Sequence, residues 1–266
     1  MIANSIWHVL GVSVAGTSHQ KSSRGCDDAN SYDLKKDTVL IAVADGAGSA
    51  SHSAEGAKSA VQAALIAAET ALSQQVEPFN EQQWEEMLSA VLRAARAALE
   101  KLTSGNAVPG DTTAGGAQQL ATLPLREFAT TLLFAIVTPQ EVAVAQIGDG
   151  AVVIQYADGV LEALTTPDHG EYINETSFIT DHNYLKLAQY KVLQVEIQGI
   201  ALLTDGLQML ALDFATNKPY KPFFSPLFKF AATEDATEAE LTTFLESGRV
   251  CVRTDDDKTL VLAVRV

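Results

Sequence analysis

The sequence predicts an α+β fold, on three observations. Strand-like runs and amphipathic helices arrive in blocks, which favours segregated layers over a doubly wound parallel sheet. Asp158-Gly159 separates the apolar run from Ala151 to Tyr156 from that of Val160 to Leu164, the signature of a tight hairpin and hence of antiparallel pairing. Three short apolar runs end in an acid–glycine step: Val39 to Ala44 before Asp45-Gly46, Val142 to Ile147 before Gly148-Asp149-Gly150, and Ile200 to Thr204 before Asp205-Gly206. Runs this short and this apolar read as buried strands.

Taken in order, Trp7 to Ala15 alternates and is Val-rich, a strand, and Gly16 to Ala29 is a polar loop leading into Asp27-Asp28. After the strand Val39 to Ala44 comes a small-residue loop, Ala47 to His52. Ser53 then caps an Ala-rich helix to about Gln75, with Glu55 near its positive end. Asn80 and Gln83 form a capping-box-like opening for a helix from Trp84 to Leu102, whose Trp84, Leu88, Val91, Leu92, Ala95 and Leu99 share one face. Ser104 to Gln119, rich in glycine, reads as a mobile loop. Strands resume at Phe128 to Val137. Thr165 to Ala188 lacks periodicity and reads as a covering loop. Val192 to Ile197 and Ile200 to Leu203 are further strands, Leu207 starts a short helix, Thr237 and Glu240 form a capping box, and Leu260 to Val266 closes the chain as a strand. The expectation is one domain over residues 1–266.

The totals exclude several classes. A net charge of −15 lacks the basic footprint that nucleic acid or an anionic membrane surface requires. Cys26 and Cys251 are too few for a disulfide framework or a cysteine-based zinc site. Neither a signal peptide nor an apolar span of membrane-crossing length stands out, so a cytoplasmic location is expected. Carboxylates held at the ends of several buried strands would repel one another unless a hard cation sat between them, which suggests an oxygen-only metal site.

In order along the chain, the acidic motifs resemble those of the metal-dependent protein phosphatases, the type 2C or PPM family. Cys26-Asp27-Asp28-Ala29 resembles its first acidic motif, Val43-Ala44-Asp45-Gly46-Ala47-Gly48 its central Asp-Gly, and Ile147-Gly148-Asp149-Gly150 its middle Gly-Asp-Ser. Leu203-Thr204-Asp205-Gly206 resembles the late Asp-Gly, and Asp256-Asp257-Lys258-Thr259 the closing Asp-Asn-x-Thr. Gly16-Thr17-Ser18-His19 and Gly170 to Thr176 look like a bacterial branch.

The resemblance implies a four-layer α-β-β-α sandwich with two central antiparallel sheets flanked by helices. It implies a serine/threonine phosphatase that hydrolyses phosphoserine and phosphothreonine with water activated at a dinuclear Mn²⁺ or Mg²⁺ site, and a third ion is open. By that likeness Asp45 bridges both ions, the Gly46 carbonyl joins one, and Asp205 and Asp256 complete the other. Asp45, Asp205 and Asp256 are then the catalytic set. Asp28, with Asp27 beside it, would hold metal-bound waters, and Asp149 matches the position of an additional metal. Asp255 is a one-residue alternative to Asp256, and Gly148-Asp149-Gly150 is also a good hairpin turn.

Two positions depart from the family. Where many members carry a phosphate-gripping arginine this chain has Ser23, which leaves Arg24, Lys21 or His19 for that task. Where many place a histidine after the central Asp-Gly it has Ala47, and His52 is a candidate proton donor or merely a loop histidine. Asp257 replaces the usual asparagine. Cys26 beside the acidic pair reads as a packed thiol, and His169, His182 and Tyr172 lie in the covering loop. The expected partner is a phosphorylated protein, the target of a cognate kinase in bacterial signalling, with no nucleic acid or membrane and with the chain a monomer. The alternative is a pseudophosphatase, a catalytically weak phosphoprotein-binding module; a third reading is a phosphatase of small metabolites.

Overall fold

A computed structural model describes residues 7–74, 79–105, 123–165, 167, 176–213 and 215–266. Among the described residues ten strands form two antiparallel sheets. The first contains β1 (Trp7–Val14), β6 (Ala151–Gln155), β7 (Leu161–Ala163), β9 (Gly199–Leu203) and β10 (Lys258–Arg265), in the order β1-β10-β9-β6-β7. The second contains β2 (Ala29–Lys35), β3 (Thr38–Ala44), β4 (Leu132–Val137), β5 (Glu141–Ile147) and β8 (Gln189–Gln194), in the order β2-β3-β4-β5-β8.

The helices are α1 (Thr17–Lys21), α2 (Ser53–Gln74), α3 (Glu81–Gly105), α4 (Tyr184–Leu187), α5 (Gln208–Ala211), α6 (Lys221–Ala231), α7 (Glu238–Leu245) and α8 (Gly248–Cys251). Helices α2 and α3 cover the outer face of the second sheet, and α5 to α8 that of the first. The expected four-layer α-β-β-α sandwich is therefore observed.

Why the central strands are apolar throughout follows from this layering. In β3, Val39, Ile41 and Val43 point between the sheets, while Leu40, Ala42 and Ala44 point at the helices. Both faces are dry, so no polar alternation survives. In β10, Val261 and Ala263 face the other sheet, and Leu260, Leu262 and Val264 face the outer helices. The long helices obey the same rule: all six residues expected on the buried face of α3, Trp84 to Leu99, are buried. Its capping box is formed, with the Gln83 amide donating to Asn80 Oδ1 and the Asn80 amide to Gln83 Oε1.

Several local expectations need correction. Ser53 is the first residue of α2, and its hydroxyl donates to Asp27 and to the Ala50 carbonyl instead of capping the helix. Phe128 ends a 3₁₀ turn, Leu125–Phe128, and the strand begins only at Leu132. The strand expected at Val192 to Ile197 lies earlier, at Gln189–Gln194, set by pairing with β5. Half-buried β2 and Pro-containing α6 were not foreseen: the first has too few apolar residues for a strand pattern, and Pro222 and Pro226 mask the helical period of the second. Most of the loop expected at Ser104 to Gln119, along with His169, Tyr172 and the motif Gly170 to Glu175, lies outside the described residues. Among the described residues no helix is long and apolar enough to cross a membrane.

Strand register gathers the acids at one end of the sandwich. Ala29 pairs with Ala44, Leu132 with Ile147, Ala151 with Leu203, Leu203 with Leu260, and Val14 with Lys258. Asp27-Asp28, Asp45, Asp149, Asp205 and Asp256-Asp257 each lie just beyond one of these pairs, on the same rim. A cavity in the α2–α3 layer would loosen that frame. Leu88→Ala, at a site with no solvent exposure, is expected to cost about 2–5 kcal/mol in urea unfolding; a loss under about 0.5 kcal/mol would contradict the packing described.

Candidate active site

The rim encloses a small polar cavity of about 170 Å³ lined by His19, Asp45, Asp149, Asp205, Asp256 and Asp257 among others. One oxygen from each of Asp45, Asp149 and Asp205 lies within 4.8 Å of the other two. Asp45 is set by the end of β3, where its amide donates to Thr131 Oγ1 and its carbonyl accepts from the Thr130 hydroxyl and the Thr131 amide. Asp149 sits in the β5–β6 turn, entered through Gly148 at φ 107°, where a Cβ would also lie 2.5 Å from Thr131. Its carboxylate accepts from the Thr176 hydroxyl, and its carbonyl accepts from Gln208 Nε2. Asp205 lies one residue beyond the end of β9, after Thr204, at the start of a 3₁₀ turn. The next residue must be glycine, because a Cβ at Gly206 would lie 1.9 Å from the Asp257 carbonyl oxygen.

The electrostatics follow from that crowding. Burial, then the charges of Asp28 and Asp205, push Asp45 well above the usual carboxylate range. Burial and the Asp149 charge push Asp205 up to about 6. Asp28 is pushed up to about 8, chiefly by burial, although the hydroxyls of Thr204 and Thr259 both donate to its Oδ2 and pull the other way. Oδ1 of Asp205 and Oδ1 of Asp28 are buried and have no hydrogen-bond partner among the described residues. Buried carboxylate oxygens left unsatisfied among other carboxylates suit a hard divalent cation, and an all-oxygen set suits Mg²⁺ or Mn²⁺ better than a thiolate-seeking metal.

The site residues expected from sequence fall into two groups. Asp45, Gly46, Asp149, Asp205, Asp256 and Asp257 line the cavity. Asp28 stands behind it, sensing the charges of Asp257 and Asp205. Asp27 and Arg24 are occupied with each other: they form an ion pair, Ser53 also donates to Asp27, and Arg24 reaches the carbonyls of Gly48 and Ala50. His52 does not line the cavity; it lies against Phe128, with ring centroids 5.4 Å apart, and its Nδ1 meets the Ser51 hydroxyl. Lys21 and His182 are exposed. The Cys26 thiol is pushed up by burial and then by the charges of Asp28 and Asp257, which disfavours its thiolate.

Sequence reasoning did not anticipate the part played by Asp257. Its buried carboxylate accepts from the Gly16 amide at 2.6 Å, the Asp27 amide at 2.6 Å and His19 Nδ1 at 3.0 Å. It thereby ties the loop before β10 to the loops after β1 and before β2. The threonines holding Asp28 and Asp45, and Gln208 against Asp149, were also missed, because a lone hydroxyl or amide leaves no periodic trace. Lys258 is fully buried beneath the rim and donates to the Asp256 carbonyl at 3.2 Å.

A stability prediction follows from the raised carboxyls. The unfolded chain releases these protons near 3.8, whereas folded Asp205 holds its proton to about 6 and Asp28 to about 8. The stability this protonation contributes is complete below about pH 4 and is lost as pH rises through those two values. In EDTA the melting temperature is therefore expected to fall between about pH 4 and pH 8, Asp28→Asn to flatten the fall, and Mn²⁺ or Mg²⁺ to restore stability most at the upper end. A flat profile in EDTA, identical with and without cation, would contradict it.

Comparison with known proteins gives the same picture. A family model described as Protein phosphatase 2C matches residues 15–246. The chain is 35% identical over 272 residues to "Serine/threonine-protein phosphatase 3" of Escherichia coli (strain K12), spanning 97% of this chain and 98% of that one. Among solved structures, a serine/threonine phosphatase, Stp1, from Staphylococcus aureus superposes with a TM-score of 0.60 over 99% of this chain and 97% of that one, at 14% identity. A serine/threonine phosphatase from S. agalactiae gives 0.55 over 98% of this chain and 100% of that one, at 16% identity. These two likenesses speak to the fold; the family model and the E. coli relative place this chain in the protein phosphatase 2C family.

Proposed function

We infer that this chain is a metal-dependent protein serine/threonine phosphatase. The observation that carries the reading is the convergence of Asp45, Asp149 and Asp205 on one cavity, with Asp205 Oδ1 buried and unpartnered. Asp45, Asp205 and Asp256, with the Gly46 carbonyl, would hold two divalent cations, Mn²⁺ or Mg²⁺; Asp149 would serve an additional ion, and Asp28 would order water behind the set. When bound, such cations lower the pKa of coordinated water towards neutrality and offset charge on the phosphoryl oxygens.

The chain's own residues supply position. Thr130 and Thr131 fix the height of Asp45. Asp257, where many relatives have asparagine, fixes His19: with Nδ1 engaged by the carboxylate, Nε2 is the ring nitrogen left for a phosphoryl oxygen or the departing alkoxide. Of the three candidates for the missing arginine's task, Arg24 is committed to Asp27 and Lys21 is not among the cavity residues, so we assign that task to His19. The partner is a phosphorylated protein, and a cognate kinase, a cytoplasmic location and action as a single domain and a monomer complete the proposal. The pseudophosphatase reading rests on Ser23 and Ala47; unsatisfied buried carboxylate oxygens, which a pure scaffold has no need to keep, weigh against it.

Phosphate release from a phosphothreonine peptide in Mn²⁺ tests the reading. Asp45→Ala is expected to lower kcat/KM by about a hundred-fold or more, and equal rates in variant and parent would defeat the proposal. For His19→Ala the expected loss is about ten-fold to a hundred-fold, with the metal-induced rise in melting temperature retained. Unchanged kinetics in that variant would remove His19 from the site.

A further inference from the structure

Asp149 is held by two separate sets of contacts. Its turn is fixed by side-chain amides on three successive carbonyls. Gln146, fully buried in β5, donates through Nε2 to the Gly148 carbonyl at 3.0 Å and to the Gly150 carbonyl at 2.8 Å. Gln208 donates to the Asp149 carbonyl between them. These bonds fix the backbone but leave the carboxylate free to turn, because the terminal torsion of aspartate is broad. The carboxylate is oriented from another part of the chain: the Thr176 hydroxyl donates to its Oδ2 at 2.7 Å. That one bond sets the direction from which Asp149 faces the cavity.

What holds Thr176 is then decisive, since residues 176–181 belong to no helix or strand. A tight turn is closed at 178–181. The Asp181 amide donates to the Phe178 carbonyl at 3.0 Å, and the Phe178 amide to Asp181 Oδ2 at 2.8 Å. Ile179, with no solvent exposure, enters the core beneath α3, and its amide donates to the Thr130 carbonyl at 2.9 Å.

The turn is gripped from outside by Arg96 of α3. Its Nη1 donates to the Ile179 carbonyl at 2.9 Å and to the Asp181 carbonyl at 2.8 Å. The guanidinium is itself held, with Nε paired to Glu100 at 2.9 Å and Cζ 5.3 Å from the centre of the Tyr184 ring. Hydrogen bonds from a charged donor are about twice as strong as neutral ones, and a planar guanidinium already fixed loses little further freedom in making them. Arg96 does not line the acidic cavity, but Phe178 of the turn does, packed against Ala47, Ala50 and Ala129.

We propose that Arg96 is a positioning residue for the cation that Asp149 would hold. It pins the turn at 178–181, and the turn keeps the Thr176 hydroxyl on Asp149 Oδ2. Without the guanidinium the turn loosens, Thr176 leaves Oδ2, and the carboxylate no longer points steadily at the other acids. Because Gln146 and Gln208 still hold the backbone, the loss is confined to the binding step that depends on Asp149. Asp45, fixed by Thr130 and Thr131, keeps its own.

This role rests on the phosphatase reading, in which Asp149 serves an additional ion, and the test separates the two. Mn²⁺ binding is followed without substrate, by electron paramagnetic resonance of the unbound ion. Asp149→Asn identifies the step that belongs to Asp149. Thr176→Val is expected to weaken that step by about ten-fold to a hundred-fold and Arg96→Ala by about ten-fold, with the remaining steps unchanged. Acting in series, the two substitutions combined are expected to be no worse than Thr176→Val alone. Both carbonyls are met by one nitrogen, so the ammonium of Arg96→Lys is expected to restore the step. Additive losses, with the lysine variant no better than alanine, would show a merely structural arginine and overturn the proposal. So would an Arg96→Ala variant that binds Mn²⁺ as the parent does, and the phosphatase reading would then still stand. A parent that binds no Mn²⁺ defeats both. Hydrogen exchange in metal-free protein reads the latch directly. Arg96→Ala is expected to speed exchange of the Phe178, Ile179 and Asp181 amides by about ten-fold while those of β4 and β5 stay protected; unchanged exchange at the three amides overturns the proposal.

Discussion

Like charges held close together where water is scarce are costly, and much of the local structure at the acidic rim answers that cost. Two carboxylates about 4 Å apart repel by about 4 kcal/mol at an effective dielectric constant of 20. A neutral hydrogen bond contributes only about 1 kcal/mol net. At Asp28 burial is the larger cause: it outweighs the hydroxyls of Thr204 and Thr259, the charges of Asp257 and Asp205 add less, and the carboxyl is pushed up to about 8. A divalent cation among the carboxylates would reverse the sign of the interaction. The same crowding that destabilises the bare site is what gives it affinity for metal.

Holding that arrangement requires connections that are long in sequence and short in space. Asp257 reaches back to Gly16, His19 and Asp27, some 230 residues earlier, through three donors. With these donors in place the carboxylate is satisfied by hydrogen bonds alone, which separates its role from that of Asp205, one oxygen of which is left bare. The substitution of aspartate for the asparagine common in the family thus adds an acceptor for two backbone amides and a histidine. Gly206 makes the same junction sterically possible from the other side, since the Asp257 carbonyl occupies the space where a side chain would begin.

The layered fold was largely legible because burial on two faces leaves an unambiguous record. Val39 to Ala44 is apolar at every position since both sides of β3 are covered, and α3 shows its buried stripe at helical spacing. What escaped had a weaker imprint. Strand β2 is only half buried, so its composition follows its exposed side. The prolines of α6 hide its period, although one falls at the start of the helix, where its missing amide costs nothing. Ser53 looked like a cap because its hydroxyl precedes a helical run; a partner 26 residues away, Asp27, claims it instead.

The amino-acid order by itself determined which residues are acidic and that Asp45, Asp149 and Asp205 each follow a short buried strand, because strand length and glycine placement are local properties of the chain. Only the tertiary structure decided which of those acids share a cavity and which are tied up elsewhere. Asp45, Asp149 and Asp205 meet, Asp27 is taken by Arg24 and Ser53, and Asp257 becomes a latch for His19. That sorting depends on cross-sheet register and on donors brought in from distant loops, and neither is encoded in any single stretch of sequence.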